Sequence, residues 1–401
     1  MLRFDKDYWP AIGLGLSQII GYGTLMYAYA ILLPHMAEDL GLSLSGIFGV
    51  MSLALFFGGF MAPVSGMLTD RYGGRFVMTI GTVVAGVALI GLSKVTNQYN
   101  LFALILIAEA AGMCVLYQVA FASVVRLDLR VPSQRLISII TLFGGVASTI
   151  FWPLTLWLYN GIGWQETWLV LGVFLILTCV PLNFFSLRGP QIDPRNPPKA
   201  QQSEWPELSG PARRKGMLWM IVSFLFSGYL MGGVMTLWVT NVQDLGHTAA
   251  MAALAGAVIG PFKTVGRFLE LLVSRNLYPL NTYALSMALM LSGFVTLIVL
   301  GFTVPGLMIA AALYGMGDGI KTIARGTLPL ALFGRKGYGA RLGWINTATM
   351  ALNASAPFAF AWLTQTLGGQ ASFTAMAVVI SLAFLAYLFI PDPRRPVHET
   401  A

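Results

Sequence analysis

Twelve apolar runs, each about as long as a membrane-spanning helix, occupy most of this 401-residue sequence. A helix needs roughly 20 apolar residues to cross a bilayer. Only 10% of the residues are charged, against roughly 25% in a typical soluble domain. The pattern therefore predicts an all-α membrane protein with twelve transmembrane helices and no sizeable soluble domain. The predicted spans are 11–33, 44–68, 76–96, 100–125, 136–159, 164–187, 217–241, 249–272, 282–302, 306–328, 340–363 and 371–390.

The positive charges are distributed unevenly between the connecting loops. Most of the 24 Lys and Arg residues lie in alternate loops and in the two tails, whereas Lys94 lies in the opposite set. Because cytoplasmic loops are enriched in Lys and Arg, both termini are expected in the cytoplasm of a multi-pass inner-membrane protein. This placement also accounts for the net charge of +8, so no nucleic-acid partner is expected. The expected partners are the lipid bilayer and a small-molecule substrate, with the protein as a monomer.

The polar turn between the second and third spans, residues 66–75, reads G-x-L-x-D-R-x-G-G-R. Its two consecutive glycines, Gly73 and Gly74, allow positive φ in a tight turn. Asp70 ends a helix, where its carboxylate can face cations or the N-terminal dipole of another helix. The pattern resembles the loop signature between the second and third transmembrane helices of the major facilitator superfamily. The resemblance implies a gating role for Gly66, Asp70, Arg71, Gly73 and Arg75.

A decayed copy of this motif occurs in the second part of the chain. Gly266, Glu270 and Arg275 repeat the motif's first Gly, its Asp and its last Arg at one constant offset. Glu270 and Arg275 are therefore added to the predicted gating motif. The repeat predicts two like halves, as the resembling superfamily implies. The expected division is a six-helix N-terminal half over 1–187, a Pro-rich cytoplasmic linker over 188–216, and a six-helix C-terminal half over 217–401.

Three acids and four cations in the predicted spans are candidates for function, because charges are costly inside a membrane and commonly functional there. Spacing groups several of them on shared helix faces, since residues three or four apart are neighbours. Arg267 and Glu270 are interpreted as a structural pair, and Asp318 can neutralise Lys321. The internal charge network is predicted to contain Glu109, Asp318, Lys321 and Arg325.

Lys263 lies near the middle of its span, and with Arg267 it is the predicted anchor for an anionic ligand. The alternative is that every one of these charges is paired inside the helix bundle. Glu109 is a candidate proton carrier, because a solitary buried carboxyl binds its proton more tightly. Equally, it can be the partner of Lys321 or Lys263.

Aromatic and amide side chains are further candidates for the substrate site. In the resembling fold such residues line the central cavity, and amides facing lipid are costly. Many aromatic residues of membrane proteins instead form interfacial belts or pack in the core. The candidates are Tyr22, Tyr27, Trp152, Tyr229, Trp238, Tyr314, Asn346 and Asn353.

Methionine spacing raises a metal alternative. Met231 and Met235 share a helix face, and His247 and Met251 follow with the same spacing. This resembles the paired motifs of CcoA-like copper importers in the same superfamily, and soft ligands suit Cu(I). The 19 methionines make such a pair expected by chance, and His247 is predicted in an outer loop. We therefore expect no metal and no cofactor, and the sequence lacks the motifs of a zinc protease or a P-loop, so no enzyme is predicted.

The resemblance implies secondary active transport by alternating access around a midplane site. The first helix and the Gly266–Arg267 end of the eighth span resemble the bacterial monocarboxylate-porter branch, although Lys263 stands where that branch tends to carry an acid. The expected activity is uptake of a small organic anion across the cytoplasmic membrane, with symport of protons. The alternatives are a planar aromatic solute such as a riboflavin-like vitamin, Cu(I), and a non-transporting membrane sensor.

Overall fold

The structure is a computed structural model that describes residues 6–192, 206–273 and 277–394. Its described part is helical, and it contains the twelve helices that the apolar runs predict. They are α1 (Lys6–Asp39), α2 (Leu44–Gly59 and Met61–Tyr72), α3 (Gly74–Leu92), α4 (Gln98–Gly112 and Tyr117–Val125), α5 (Ser133–Gly144 and 147–162), α6 (164–186), α7 (Gly210–Asp244), α8 (Ala249–Val273), α9 (Pro279–Leu300), α10 (Val304–Phe333), α11 (Tyr338–Asn353 and Ala356–Leu367) and α12 (Gly369–Leu388).

Within the described ranges, nine helical segments are long and apolar enough to cross a membrane by length and composition. One of them, Ser133–Ser186, contains both α5 and α6, which Gly163 separates by adopting a φ of 78°. The two helices outside this set are α10, which carries Asp318, Lys321 and Arg325, and the interrupted α11. The predicted number and order of the helices are confirmed.

The chain forms two compact units, and neither is one continuous stretch of sequence. The first contains residues 1–200 together with 335–347, and the second contains 201–334 together with 348–401. The start of α11 therefore packs in the first unit, although it follows α10 in the chain. Of the predicted linker 188–216, residues 193–205 lie outside the described residues, whereas 210–216 already belong to α7.

A hydrophobic core joins α1, α3, α4 and α6 in the first unit. Trp168 is fully buried there. Its ring is tilted against that of Tyr29 with 5.0 Å between the centroids, and its indole N–H donates to the sulfur of Met36 at 3.2 Å. Nearby, α1 contains a π-helical turn over Gly23–Tyr27, packed against Phe151 of α5. Such turns commonly mark functional positions in helices. Of the two predicted site residues of α1, Tyr22 directly precedes this turn and Tyr27 is its last residue.

Candidate functional site

Two lysines of the second unit share one buried carboxylate. Lys263 of α8 places its Nζ 2.7 Å from Oδ2 of Asp318, and Lys321 of α10 places its Nζ 2.6 Å from Oδ1. The Lys321 ammonium also donates to the backbone carbonyl of Ser227 in α7 at 3.0 Å. The exposed fractions of the Lys263, Lys321 and Asp318 side chains are 15%, 12% and 7%. We call these three residues the charge trio.

Direct backbone contact between α8 and α10 forms the charge trio. A Cβ placed on Gly319 would overlap the carbonyl oxygen of Lys263, and one on Gly315 would lie 2.6 Å from that of Ile259. Small residues allow membrane helices to approach this closely. With the two backbones in contact, the short Asp318 side chain reaches Lys263 directly. The Gly-rich pattern of α10 thus positions the pair of charges.

The charge trio carries one positive charge in excess. Two ammoniums and one carboxylate give a net charge of +1, and all three side chains are largely removed from water. An excess charge is expensive in such an environment unless a further group or a ligand compensates it. The arrangement can therefore receive an anion beside Lys263.

Three more ionisable residues of the second unit lie on the same two helices as the charge trio. Arg267 and Glu270 are both buried on α8, three residues apart, as the predicted structural pair requires. Arg325 follows Lys321 by one turn of α10 and lies close enough to interact with it electrostatically. Arg275, the last residue of the decayed motif, lies outside the described residues.

Glu109 is the buried acid of the first unit. It lies on α4 with 5% exposure, and its Cβ would be 2.9 Å from a Cβ placed on Gly58 of α2. Its Oε1 has no hydrogen-bond partner among the residues that the structure describes, and the same holds for the nearby Tyr29 hydroxyl. Lys263 and Lys321 meet Asp318 of their own unit instead. The surroundings of Glu109 therefore favour its protonated form, because an ionised carboxylate is costly in an apolar environment.

The predicted aromatic residues of the first unit form two groups of rings. The ring centroids of Tyr22 and Tyr117 are 4.6 Å apart, and the Tyr117 hydroxyl donates to the carbonyl of Thr141 at 3.2 Å. Tyr27 meets Trp152 edge-on at 5.8 Å between ring centroids. Trp152 is 49% exposed, whereas Tyr22, Tyr27 and Tyr117 are half-buried.

The candidates of the second unit are mostly packed inside it. Trp238 is buried and donates to the carbonyl of Ala252 at 3.1 Å, while Tyr314 is buried 5.5 Å from the ring of Phe294. Tyr229 contacts Phe360 with 5.4 Å between the ring centroids.

The two predicted amides are placed in different units. Asn353 accepts a hydrogen bond from the backbone N–H of Gly232 at 3.1 Å in the second unit. Asn346 clusters with the first unit, and its amide donates to the sulfur of Met113 at 3.7 Å. The predicted set of aromatic and amide residues is therefore not one cluster within either unit.

The motif aspartate caps the N-terminus of α11. Asp70 accepts hydrogen bonds from the backbone N–H groups of Gly339 at 3.0 Å and Ala340 at 2.9 Å. Helix N-termini stabilise negative charge in this way. Of the two partners foreseen for Asp70, the helix terminus is therefore a direct partner. Arg126 adds a hydrogen bond to the Asp70 carbonyl oxygen.

Close packing continues along α2 and α11. A Cβ on Gly339 would lie 2.6 Å from the Gly66 carbonyl oxygen, and one on Gly343 would lie 2.5 Å from that of Ala62. Further along, the Thr347 hydroxyl donates to the Gly59 carbonyl oxygen at 2.9 Å. These contacts hold residues 335–347 in the first unit.

The remaining motif residues shape the turn. Gly73 has a φ of 83°, as predicted, but Gly74 does not have positive φ; it begins α3 and packs against Ser123. Arg75 stacks on the ring of Phe184 with 3.6 Å from its guanidinium carbon to the centroid. Arg71 is exposed beside Tyr72.

Sequence reasoning missed the side chains that hold the start of α11. Arg335 donates to the Val125 carbonyl at 2.8 Å and to the Ser133 hydroxyl at 3.3 Å. Burial lowers the pKa of this guanidinium, and Asp128 raises it. Gly339, Gly343 and Thr347 have the four-residue spacing of small residues that marks a tight helix interface, and this signal could have revealed the surface.

Of the proposed copper ligands, the structure does not bring Met231 and His247 together. Met231 lies within α7, whereas His247 follows the end of that helix and its Nε2 lies 2.6 Å from the Gly301 carbonyl oxygen. At 1.5 Å per residue, Met231 and the end of α7 are roughly 20 Å apart. Met251 is in the first turn of α8, and the Met235 side chain lies outside the described residues. No group of three or more His, Cys, Asp or Glu that could hold a metal occurs in the described ranges.

Comparisons with known proteins agree with this architecture. A family model described as Major Facilitator Superfamily matches residues 14–279. The agnestins efflux protein AgnL12 of Paecilomyces divaricatus is 25% identical over 343 residues, which are 83% of this chain and 73% of that protein. The human organic anion transporter MFSD10 has a TM-score of 0.70 at 15% identity, covering 96% of this chain and 100% of that chain. FucP, a transporter of the same superfamily in its outward conformation, gives 0.70 at 14% identity with the same coverage.

Proposed function

Because this chain belongs to the major facilitator superfamily and is a transporter of a small solute, we propose that its solute is an organic anion taken up together with protons. The charge trio carries this proposal. Its excess positive charge lies in a largely buried region, where an anion is the ligand that reduces the electrostatic cost.

Lys263 is the proposed anion-binding residue, and Glu109 is the proposed proton carrier. The Lys263 ammonium can turn from Asp318 to a ligand carboxylate, because Lys321 still neutralises Asp318. Glu109 is buried without a hydrogen-bond partner for Oε1 among the described residues, so protonation removes a buried charge. We place the protein in the cytoplasmic membrane as a monomer that carries out no catalysis.

Reconstitution into proteoliposomes tests the activity. Labelled monocarboxylates, dicarboxylates, a planar flavin and Cu(I) are supplied with and without an imposed pH gradient. Transport is measured in both directions, because the relative at 25% identity is named an efflux protein. We expect carboxylate uptake that the pH gradient increases. Transport of the flavin or Cu(I) without transport of any carboxylate would contradict the proposal.

Replacing Lys263 tests the residue assignment. Lys263→Met removes a charge-assisted contact worth roughly 1.5–3 kcal/mol, so affinity for the carboxylate should fall about ten- to hundredfold. Lys263→Arg should retain part of the affinity, because the charge survives with a different geometry. Lys94→Met, at an exposed lysine, is the matched control. Binding is measured by calorimetry beside the melting temperature, and unchanged affinity in a folded Lys263→Met protein would exclude Lys263 from the site.

A further inference from the structure

The charge trio also indicates which anions the transporter can accept. Resting on the proposed anion transport, we propose that Asp318 sets the valence of the solute, because it cancels one of the two ammonium charges and leaves room for a single negative charge. Asp318 is then a specificity-determining residue that need not touch the solute.

The two lysines are held unequally. Lys321 is held on two sides, by Oδ1 of Asp318 at 2.6 Å and by the Ser227 carbonyl at 3.0 Å. Among the described residues the Lys263 ammonium is held by Oδ2 of Asp318 alone, at 2.7 Å. Lys321 therefore stays with Asp318 when Lys263 turns to a ligand. Lys321 and Asp318 then form a pair with no net charge, so Lys263 is the one cation of the trio left for the ligand.

The charges of the trio predict the preferred ligand. A monoanion brings its net charge from +1 to zero, whereas a dianion leaves one uncompensated negative charge near a buried carboxylate. At low effective dielectric such an uncompensated charge is strongly unfavourable. Arg267, Glu270 and Arg325 also contribute to the local potential, but they are the same in every variant compared below. Their contribution therefore cancels when the ratio of two affinities is compared between variants.

The test compares butyrate with succinate, which have equal carbon number and differ in charge. Dissociation constants are measured for the purified full chain, with melting temperature as the folding control. The ratio of the two dissociation constants in the unmodified protein is the reference value. Asp318→Asn raises the charge of the trio from +1 to +2 and should shift the preference toward succinate by about tenfold or more. The double variant Asp318→Asn with Lys321→Gln restores +1 and should return the ratio of the two affinities to that of the unmodified protein.

Each outcome decides the assignment. An unchanged butyrate-to-succinate ratio in folded Asp318→Asn protein would overturn it. If that variant does not fold, Lys321→Gln keeps the Lys263–Asp318 pair with no net charge, and it should weaken succinate binding more than butyrate binding. Equal weakening of both ligands would then overturn the assignment. If the unmodified protein binds neither anion, the proposed anion transport fails as well, whereas binding with an unaltered ratio refutes only the role of Asp318.

Discussion

At the scale of single residues, each unit contains a buried acid, and the two acids differ in whether cations neutralise them. Asp318 on α10 is held by two ammoniums, whereas Oε1 of Glu109 on α4 has no partner among the described residues. A carboxylate held by cations keeps its charge, and one without them is costly to ionise. The two acids therefore suit different tasks. Asp318 holds two ammonium groups in place, and Glu109 can exchange a proton.

Glu109→Gln should separate proton coupling from solute binding. The amide keeps the shape of the side chain but cannot carry a proton, so accumulation driven by a pH gradient should fall to the level seen without the gradient. Exchange of labelled for unlabelled solute should persist, and the melting temperature should not fall. Glu166→Gln, at an exposed acid in the first turn of α6, serves as the control. Gradient-driven accumulation that survives in Glu109→Gln would show that another group carries the proton.

At the scale of elements, contact between α2 and α11 determines where residues 335–347 lie. Gly66 and Gly339 allow the two backbones to touch, and Asp70 then reaches the first N–H groups of α11. The contact is between main-chain atoms, so no flexible side chain can move aside to accommodate an added group. The motif thus contributes two things to this contact: Gly66 lets the backbones of α2 and α11 touch, and Asp70 caps the N-terminus of α11.

Gly66→Ala should loosen this contact measurably. Its Cβ would overlap the Gly339 carbonyl oxygen, and such overpacking costs about 1–3 kcal/mol. Amide hydrogen exchange in residues 335–347 should quicken, and the melting temperature should fall. Gly49→Ala is the matched control on the same helix, because no atom lies within 4 Å of its added Cβ. If amide hydrogens of residues 335–347 exchange at the same rate in both variants, steric contact at Gly66 does not hold α11 in place.

At the scale of the whole molecule, the distribution of cations predicts the orientation in the membrane. Twelve helices that all cross the membrane would place both ends of the described chain on one side, and we predict from the cation-rich loops that this side is the cytoplasm. Only Lys94 among the loop cations lies in the opposite set of loops.

Reporter fusions test this orientation. A reporter that is active only in the cytoplasm should work when fused to either end of the chain. A cysteine placed at Lys94 should react with a membrane-impermeant thiol reagent from outside intact cells. Labelling at Lys94 only after the membrane is opened would reverse the orientation.

The sequence by itself determined the number, order and approximate limits of the helices. It also indicated the Gly73 turn and the helix-capping role open to Asp70. These properties are local, because a run of apolar residues or a glycine pair can be recognised in the sequence without knowing which residues it contacts in space. Only the tertiary structure decided that Asp318 serves both lysines and that residues 335–347 join the first unit.

The physical reason is the rotation of each helix about its axis. Hydropathy places a residue at a depth in the membrane but does not say which neighbour it faces. That choice depends on close contacts between residues distant in sequence, such as Lys263 with Gly319 and Gly66 with Gly339. The predicted aromatic site residues show that hydropathy does not determine this rotation. Trp238 and Tyr314 are buried by helix packing, whereas Trp152 is exposed.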